Sequence, residues 1–398
     1  MMYKSKKAPF SIRLSIACLI VVSLVAGCNS GKEGKTSLPL EVLPDIELLP
    51  KPEQTSDSTS SESYINIISS DVELNFPQAL TFNLAVESNH KITDIELLYE
   101  SKKILSSSVM VTVQLDFKPG TLVETDWTWD TRKSSLPPGA QIEYSWVIEN
   151  DSGDRVETEP TILIFDDGHH DWQEMADENI RLFWYERDRS FGQELMETAQ
   201  QALETLAENT GTDLEGQARI YIYATTQDLH DALVYPDEWT GGMAFPDHGV
   251  IVIGIATNNL SWGKRAVTHE LSHLVIHQVT YSPLSNIPAW LDEGLAMYSE
   301  GDLLWNFEHS LQEAVSNDAL FSIPSISGSF PSDRDKAELA YAQSYSLVEY
   351  LLNNYSDRST KTQQLLQAFS NGASIDDALL EVYGVDSKQL EKDWRDNL

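Results

Sequence analysis

The spacing of apolar residues along the chain changes character near residue 166. From about 63 to 165, apolar and polar positions alternate in short runs: Tyr64–Ile68, Leu80–Val86, Ile95–Tyr99, the Val-Thr-Val-Gln-Leu stretch ending at Leu115, and Tyr144–Ile148. A period of two places alternate side chains on one face of a strand. Turn signals at Pro137-Pro-Gly and Asn150-Asp-Ser-Gly bring the expected strand count to about seven. That pattern fits an all-β immunoglobulin-like or fibronectin-like sandwich.

After Asp166-Asp167 the period lengthens toward 3.6. A helix is expected over 189–208, where Leu195, Ala199, Leu203 and Leu206 share a face. Strands return at Arg219–Tyr223, Gly242–Phe245 and Val250–Ile255, followed by a helix over 263–279. Further helices are expected near 308–316, 335–355, 361–370, 374–383 and 387–396. No fixed-period repeat is evident. The expected architecture is therefore multidomain: a β-sandwich over 63–165, then an α+β unit over 166–398 with a helical C-terminal lobe.

The first 62 residues follow neither pattern. Lys4, Lys6, Lys7 and Arg13 precede an apolar run, Ile16–Ala26, that ends at Gly27-Cys28. A charged, an apolar and a small-residue part in that order read as an export signal over 1–27, too short for a comfortable permanent membrane span. Val25-Ala26-Gly27-Cys28 resembles the lipobox of bacterial lipoproteins, which implies lipidation of Cys28 and an extracytoplasmic protein anchored to the membrane. Residues 28–62 are rich in Ser, Thr, Pro, Glu and Lys, with too little apolar surface to offset ordering entropy, and read as a flexible tether.

Composition narrows the choices further. The 27 Lys and Arg against 62 Asp and Glu give a formal charge of -35, which argues against a nucleic-acid partner. Cys18 and Cys28 are the two cysteines, and Cys18 lies in the expected leader. An internal disulfide and thiolate ligation of a metal are both excluded by that count. Trp127, Trp129 and Trp146 are expected in the sandwich core, with a carbohydrate site as the rival reading. His169, His170, His230 and His248 are expected in surface loops.

The strongest chemical signal is His269-Glu270-Leu271-Ser272-His273. Histidines at i and i+4 on a helix present two imidazoles to one ion, with Glu270 beside it. Ala266, Val267, Leu271, Leu274 and Val275 give the same segment an apolar stripe, as expected of a helix through a core. A catalytic zinc requires a third protein ligand and an open position for water. His277 lies roughly 12 Å from His269 along the helix axis, too far to share the ion, and is read as a polar histidine satisfied by a neighbour. A metzincin would place Gly and His three and six residues after His273, but Ile276 and Val279 stand there. Glu293, in Trp290-Leu291-Asp292-Glu293-Gly294-Leu295-Ala296, follows His273 after nineteen residues, and a loop through Pro283 and Pro288 can return its helix to the first. The expected ligand set is His269, His273 and Glu293, holding one zinc per chain.

His-Glu-x-x-His followed by Trp-Leu-x-Glu-Gly-x-Ala resembles the gluzincins of the peptidase MA clan, particularly the peptidase-MA-like domains of bacterial lipoproteins. The resemblance covers roughly 166–398. It implies a zincin fold and zinc-dependent hydrolysis of peptide bonds in a peptide or protein substrate, with Glu270 activating a water. Tyr341 opens a Tyr-x-Gln-Ser pattern similar to the helix that carries the catalytic tyrosine in related aminopeptidases, and Tyr345 lies one turn on. Substrate is expected to add as a strand along Gly242, Met243 and Ala244. In the aminopeptidase branch a glutamate follows the equivalent Gly-x-Met; Ala244 stands in that place here, which favours an endopeptidase. Two other functions are carried beside this one: a surface binding protein that has lost turnover, and a zinc amidase acting on a non-protein amide.

Overall fold

The computed structural model describes residues 63–134, 136–234, 241–256, 258–284 and 286–398. The expected leader, Cys28 and the tether lie outside the described residues. Among the described residues no helix is long and apolar enough to cross a membrane. The chain is a mixed α/β protein, β-rich in its N-terminal part and helical toward its C-terminus.

Seven strands form the N-terminal part: β1 (Ile65–Asn75), β2 (Ala79–Ser101), β3 (Val111–Gln114), β4 (Gly120–Asp130), β5 (Ala140–Asn150), β6 (Arg155–Glu157) and β7 (Thr161–Phe165). The runs Leu80–Val86 and Ile95–Tyr99, which read as separate strands in the sequence, are two halves of β2. Its first half pairs with β1 and β4, its second with β3 and β5. An irregularity between Ile92 and Asp94 shifts the inward positions from Leu80, Phe82, Leu84 and Val86 to Ile95, Leu97 and Tyr99. A bulge bends a strand in this way and re-aims its side chains. The two halves then pack on one another, Phe82 meeting Tyr99 at 5.9 Å and Tyr144 at 5.2 Å between ring centroids. Trp146 is fully buried, and Trp127 and Trp129 lie against Tyr99, so all three tryptophans belong to this core.

The second sheet has five strands: β8 (Gln173–Ala176), β9 (Ile180–Trp184), β10 (Ala218–Tyr223), β11 (Gly242–Phe245) and β12 (Val250–Gly254), in the order β11-β12-β10-β9-β8. Strands β9, β10 and β12 run parallel; β8 and β11 are antiparallel edges. Strands β8 and β9 lie outside the expected elements: Ile180, Leu182 and Trp184 alternate, but the strands are short and flanked by acidic turns. Between the strands lie α1 (Arg189–Thr210), capped by the Asp188 side chain at the Phe191 amide, and the short α2 (Thr226–Ala232).

Helices complete the chain: α3 (Leu260–Thr280), α4 (Ala289–Ser299), α5 (Trp305–Ser316), α6 (Arg334–Asn354), α7 (Arg358–Ser370), α8 (Ile375–Tyr383) and α9 (Ser387–Arg395). One face of the five-stranded sheet packs its aliphatic residues against α1 and α3. The opposite face shares a continuous core with the seven-stranded part, through Tyr221, Tyr223, Val250 and Val252. His170 and His248, expected in surface loops, lie in or beside this junction. His170 stacks on Tyr185 at 3.9 Å, and His248 is buried. His170 takes partners from its own turn, Asp167 and Trp172, and from Tyr185 after β9, whereas the surroundings of His248 come from distant residues such as Arg219.

Candidate metal centre

Helix α3 runs through the interior with nearly every residue from Ala266 to Ile276 buried. The chain turns through Pro283 and Pro288 and enters α4, whose Ala289 amide is held by the Ser327 carbonyl at 3.0 Å. Helix α4 is buried from Trp290 to Met297 and packs on both α3 and α6. At the α6 crossing, a Cβ on Gly294 would stand 2.4 Å from the Ser344 carbonyl oxygen. Only a residue without a side chain lets the two backbones approach so closely, and this approach seats the adjacent Glu293 against α3.

Glu293 Oε2 lies 3.3 Å from His269 Nε2 and 3.8 Å from His273 Nε2, with all three side chains buried. None of the three atoms has a hydrogen-bond partner. Leaving buried polar atoms unpaired costs about 1–3 kcal/mol each, so three such atoms aimed at one point require a common partner. Ligand atoms about 2 Å from one ion at tetrahedral angles sit roughly 3.3 Å apart. The set therefore fits a single small divalent cation.

The other ring nitrogens explain why the Nε2 atoms are free. His269 Nδ1 lies 2.7 Å from Glu300 Oε1 and His273 Nδ1 lies 3.0 Å from Asp292 Oδ1. A ring that donates Nδ1–H to a carboxylate presents its Nε2 lone pair as a ligand. Arg265 donates Nε–H to the other Glu300 oxygen at 2.9 Å, and His277 Nε2 lies 2.8 Å from Asp292 Oδ2. His277 thus shares the Asp292 carboxylate with His273 and is not one of the residues whose ring nitrogens converge with Glu293.

Four buried or nearly buried carboxylates, Glu270, Asp292, Glu293 and Glu300, crowd this space with Arg265 as the permanent cation. Burial favours neutral imidazoles, yet the carboxylates outweigh it and raise the pKa of both histidines, that of His273 to about 9. Burial would likewise raise Asp292, but His277 and His273 hold it well below the usual carboxylate range. The electrostatics call for positive charge at the point where the ligand atoms converge.

Glu270 is fully buried, and neither carboxylate oxygen has a partner. Desolvation pushes its pKa up to about 7 against the opposing pull of His269 and His273. The edge strand β11 passes directly over it: a Cβ on Gly242 would stand 2.8 Å from Glu270 Oε1. Gly242 and Glu270 are therefore brought together, while Met243 packs into the core shared with the N-terminal part and Ala244 into the core under α3. Tyr341 and Tyr345 share a small cluster with Met297, and Tyr341 meets Phe330 edge-on at 5.0 Å.

Asp292, Glu300 and Arg265 were missed as site residues in the sequence. A signal existed for each. Asp292 fills the open position of the Trp-Leu-x-Glu motif, Glu300 follows Glu293 by two helical turns, and Arg265 precedes His269 by one.

The peptidase MA superfamily model matches residues 198–398, a span that holds both parts of the motif. No curated protein matches the chain. Among solved structures, the M1 zinc metallopeptidase from Deinococcus radiodurans is similar over 83% of this chain and 94% of that one, at 11% identity and a TM-score of 0.36. A mutant of that enzyme bound to a Tyr-Ser-Ala substrate gives 12% identity, 80% and 90% coverage, and a TM-score of 0.37. OgpA from Akkermansia muciniphila is similar over 27% of this chain at 8% identity and a TM-score of 0.20, and the likeness spans 29% of OgpA.

Proposed function

The chain belongs to the peptidase MA superfamily, and we propose that it is a zinc-dependent peptidase using Glu270 as general base. The observation that carries this reading is the convergence of His269 Nε2, His273 Nε2 and Glu293 Oε2, all buried and unpartnered. His269, His273 and Glu293 would hold a zinc ion, which would supply Lewis acidity toward a water and the scissile carbonyl.

The remaining steps belong to side chains of this protein. Glu270 takes the proton from the attacking water and returns it to the departing amine, a role suited to a buried carboxylate whose two oxygens have no other partner. Glu300 and Asp292 fix the tautomer and orientation of the two imidazoles. Gly242, Met243 and Ala244 offer the backbone of an edge strand on which an extended peptide adds as a further strand. Tyr341, or Tyr345 one turn on, donates to the carbonyl oxygen as it gains charge. Ala244 offers no carboxylate to a free amino terminus, which supports endopeptidase action.

The leader and the Gly27-Cys28 junction support an enzyme held outside the cell membrane by a lipid on Cys28. We read the N-terminal seven-stranded part as an immunoglobulin- or fibronectin-like sandwich carried between that anchor and the catalytic part. The test is incubation of purified protein with a mixed peptide pool, read by mass spectrometry. New fragments that vanish with chelator and with Glu270→Gln are expected; identical peptide maps in all three samples would overturn the proposal.

A further inference from the structure

The segment that joins β2 to β3 leaves the seven-stranded part and reaches the turn Pro246–Gly249 between β11 and β12. The Ile104 amide donates to the Asp247 carbonyl at 2.7 Å. Lys103 Nζ pairs with Asp247 Oδ2 at 2.8 Å, and the Ser106 hydroxyl lies 3.4 Å from both oxygens of the same carboxylate. Ile104 also covers Gly249, where an added Cβ would stand 3.0 Å from Ile104 Cδ1. From the sheet, Arg219 donates to the His248 carbonyl at 2.7 Å and to the Gly139 carbonyl at 2.6 Å, tying the turn to a second point on the N-terminal part.

This turn closes the hairpin whose other strand is the cleft edge. Strand β11 is four residues long and pairs with β12 along one side. Its Gly242 lies against Glu270, while Met243 and Phe245 pack into the core shared with the N-terminal part. A strand so short takes its position from its neighbours. The neighbours that hold its turn come from both parts: Arg219 from the sheet, and Lys103 and Ile104 from the N-terminal part.

We propose that Lys103 and Ile104 are positioning residues for the cleft, gripping Asp247 so that Gly242–Phe245 presents its free edge at a fixed distance from Glu270. The N-terminal part then acts as a brace for the substrate-binding strand in addition to any spacing role. The inference rests on the peptidase reading of the cleft. The Lys103–Asp247 pair is a quarter to a third exposed, so its loss costs little global stability and changes chiefly where the turn sits.

The test uses full-length, zinc-loaded protein carrying Lys103→Ala, Asp247→Ala, or the charge swap Lys103→Asp with Asp247→Lys. Each single variant should raise KM for labelled casein about two- to fivefold with kcat within about twofold of wild type. Hydrogen exchange in the 242–245 segment should accelerate while that of α3 does not, and the swap should recover at least half of both effects. Unchanged KM and exchange, or losses that track melting temperature and zinc content, would overturn the brace. Should wild-type protein leave casein intact, the peptidase reading fails with that probe, and the exchange measurement still decides the brace.

Discussion

The two faces of the five-stranded sheet are built from the same strands and differ in chemistry. Toward α1 and α3 point Ile180, Leu182, Ala218, Ile220, Ile222, Ile251 and Ile253, an almost wholly aliphatic surface. Toward the N-terminal part point Tyr185, Tyr221 and Tyr223 with Val250 and Val252, and the phenols find acidic partners: Tyr185 donates to Asp228 at 2.8 Å and Tyr223 to Asp167 at 3.1 Å. The aliphatic face carries no polar cost and packs α3 through apolar side chains alone, which suits a helix proposed to bear metal ligands. The aromatic face carries phenols whose acidic partners, Asp228 on α2 and Asp167 before β8, sit at its own margin, so it packs on the N-terminal part with those bonds in place. Chemistry is thus lodged on one side of the sheet and alignment on the other.

Substitutions on the two sides should separate accordingly. The largest effect belongs to the helix side: Glu270→Gln should lower kcat by about 10²–10⁴-fold with melting temperature and zinc content near wild type. A steady-state assay alongside metal analysis checks both halves of that statement. Next, Asp292→Asn weakens the grip on His273 Nδ1 and should reduce zinc affinity by about 10–100-fold, measured by competition with a chromophoric chelator. Equal affinity would mean that the carboxylate does not orient the ring.

On the junction side, Tyr223→Phe removes a buried bond to Asp167 and should cost about 1–3 kcal/mol in denaturant unfolding, leaving zinc affinity unchanged. The last effect is one of pH, and it is absent at neutrality. Burial lowers the His248 pKa from 6.5 to about 4, with Asp247 opposing the shift and Lys103 and Arg219 adding to it. The unfolded chain therefore binds the extra proton between those values. Stability from this group is intact above pH 6.5 and falls as the pH drops toward 4, by at most about 1.4 kcal/mol per pH unit. A His248→Gln variant should show a shallower decline across that window; parallel curves would contradict the assignment.

The contrast also governs what the sequence could disclose. Helix α3, the return to Glu293 and the edge strand at Gly242 were legible because each is a local pattern: an i, i+4 pair, an acidic residue opening a helix, an alternating run beside glycine. In the N-terminal part β1, β3 and β5 were legible by the same rule and β2 as two runs, which join through a bulge whose contacts come from β4 and β5, while β4, β6 and β7 showed no run of their own. The aromatic junction was not legible. Tyr221 and Tyr223 alternate with Ile220 and Ile222 as any two-sided strand does, and nothing local tells which face meets helices and which meets another sheet. His248 was misjudged for the same reason, since it is buried beside a turn that Lys103, far away in the sequence, holds through Asp247.

The proposed chemistry depends on His269, His273 and Glu293 holding one divalent ion. It is tested most directly by counting metal in purified protein by inductively coupled plasma mass spectrometry, wild type beside His273→Ala. About one zinc per chain in wild type and a small fraction of that in the variant is the expected result; equal zinc in both would contradict the ligand set.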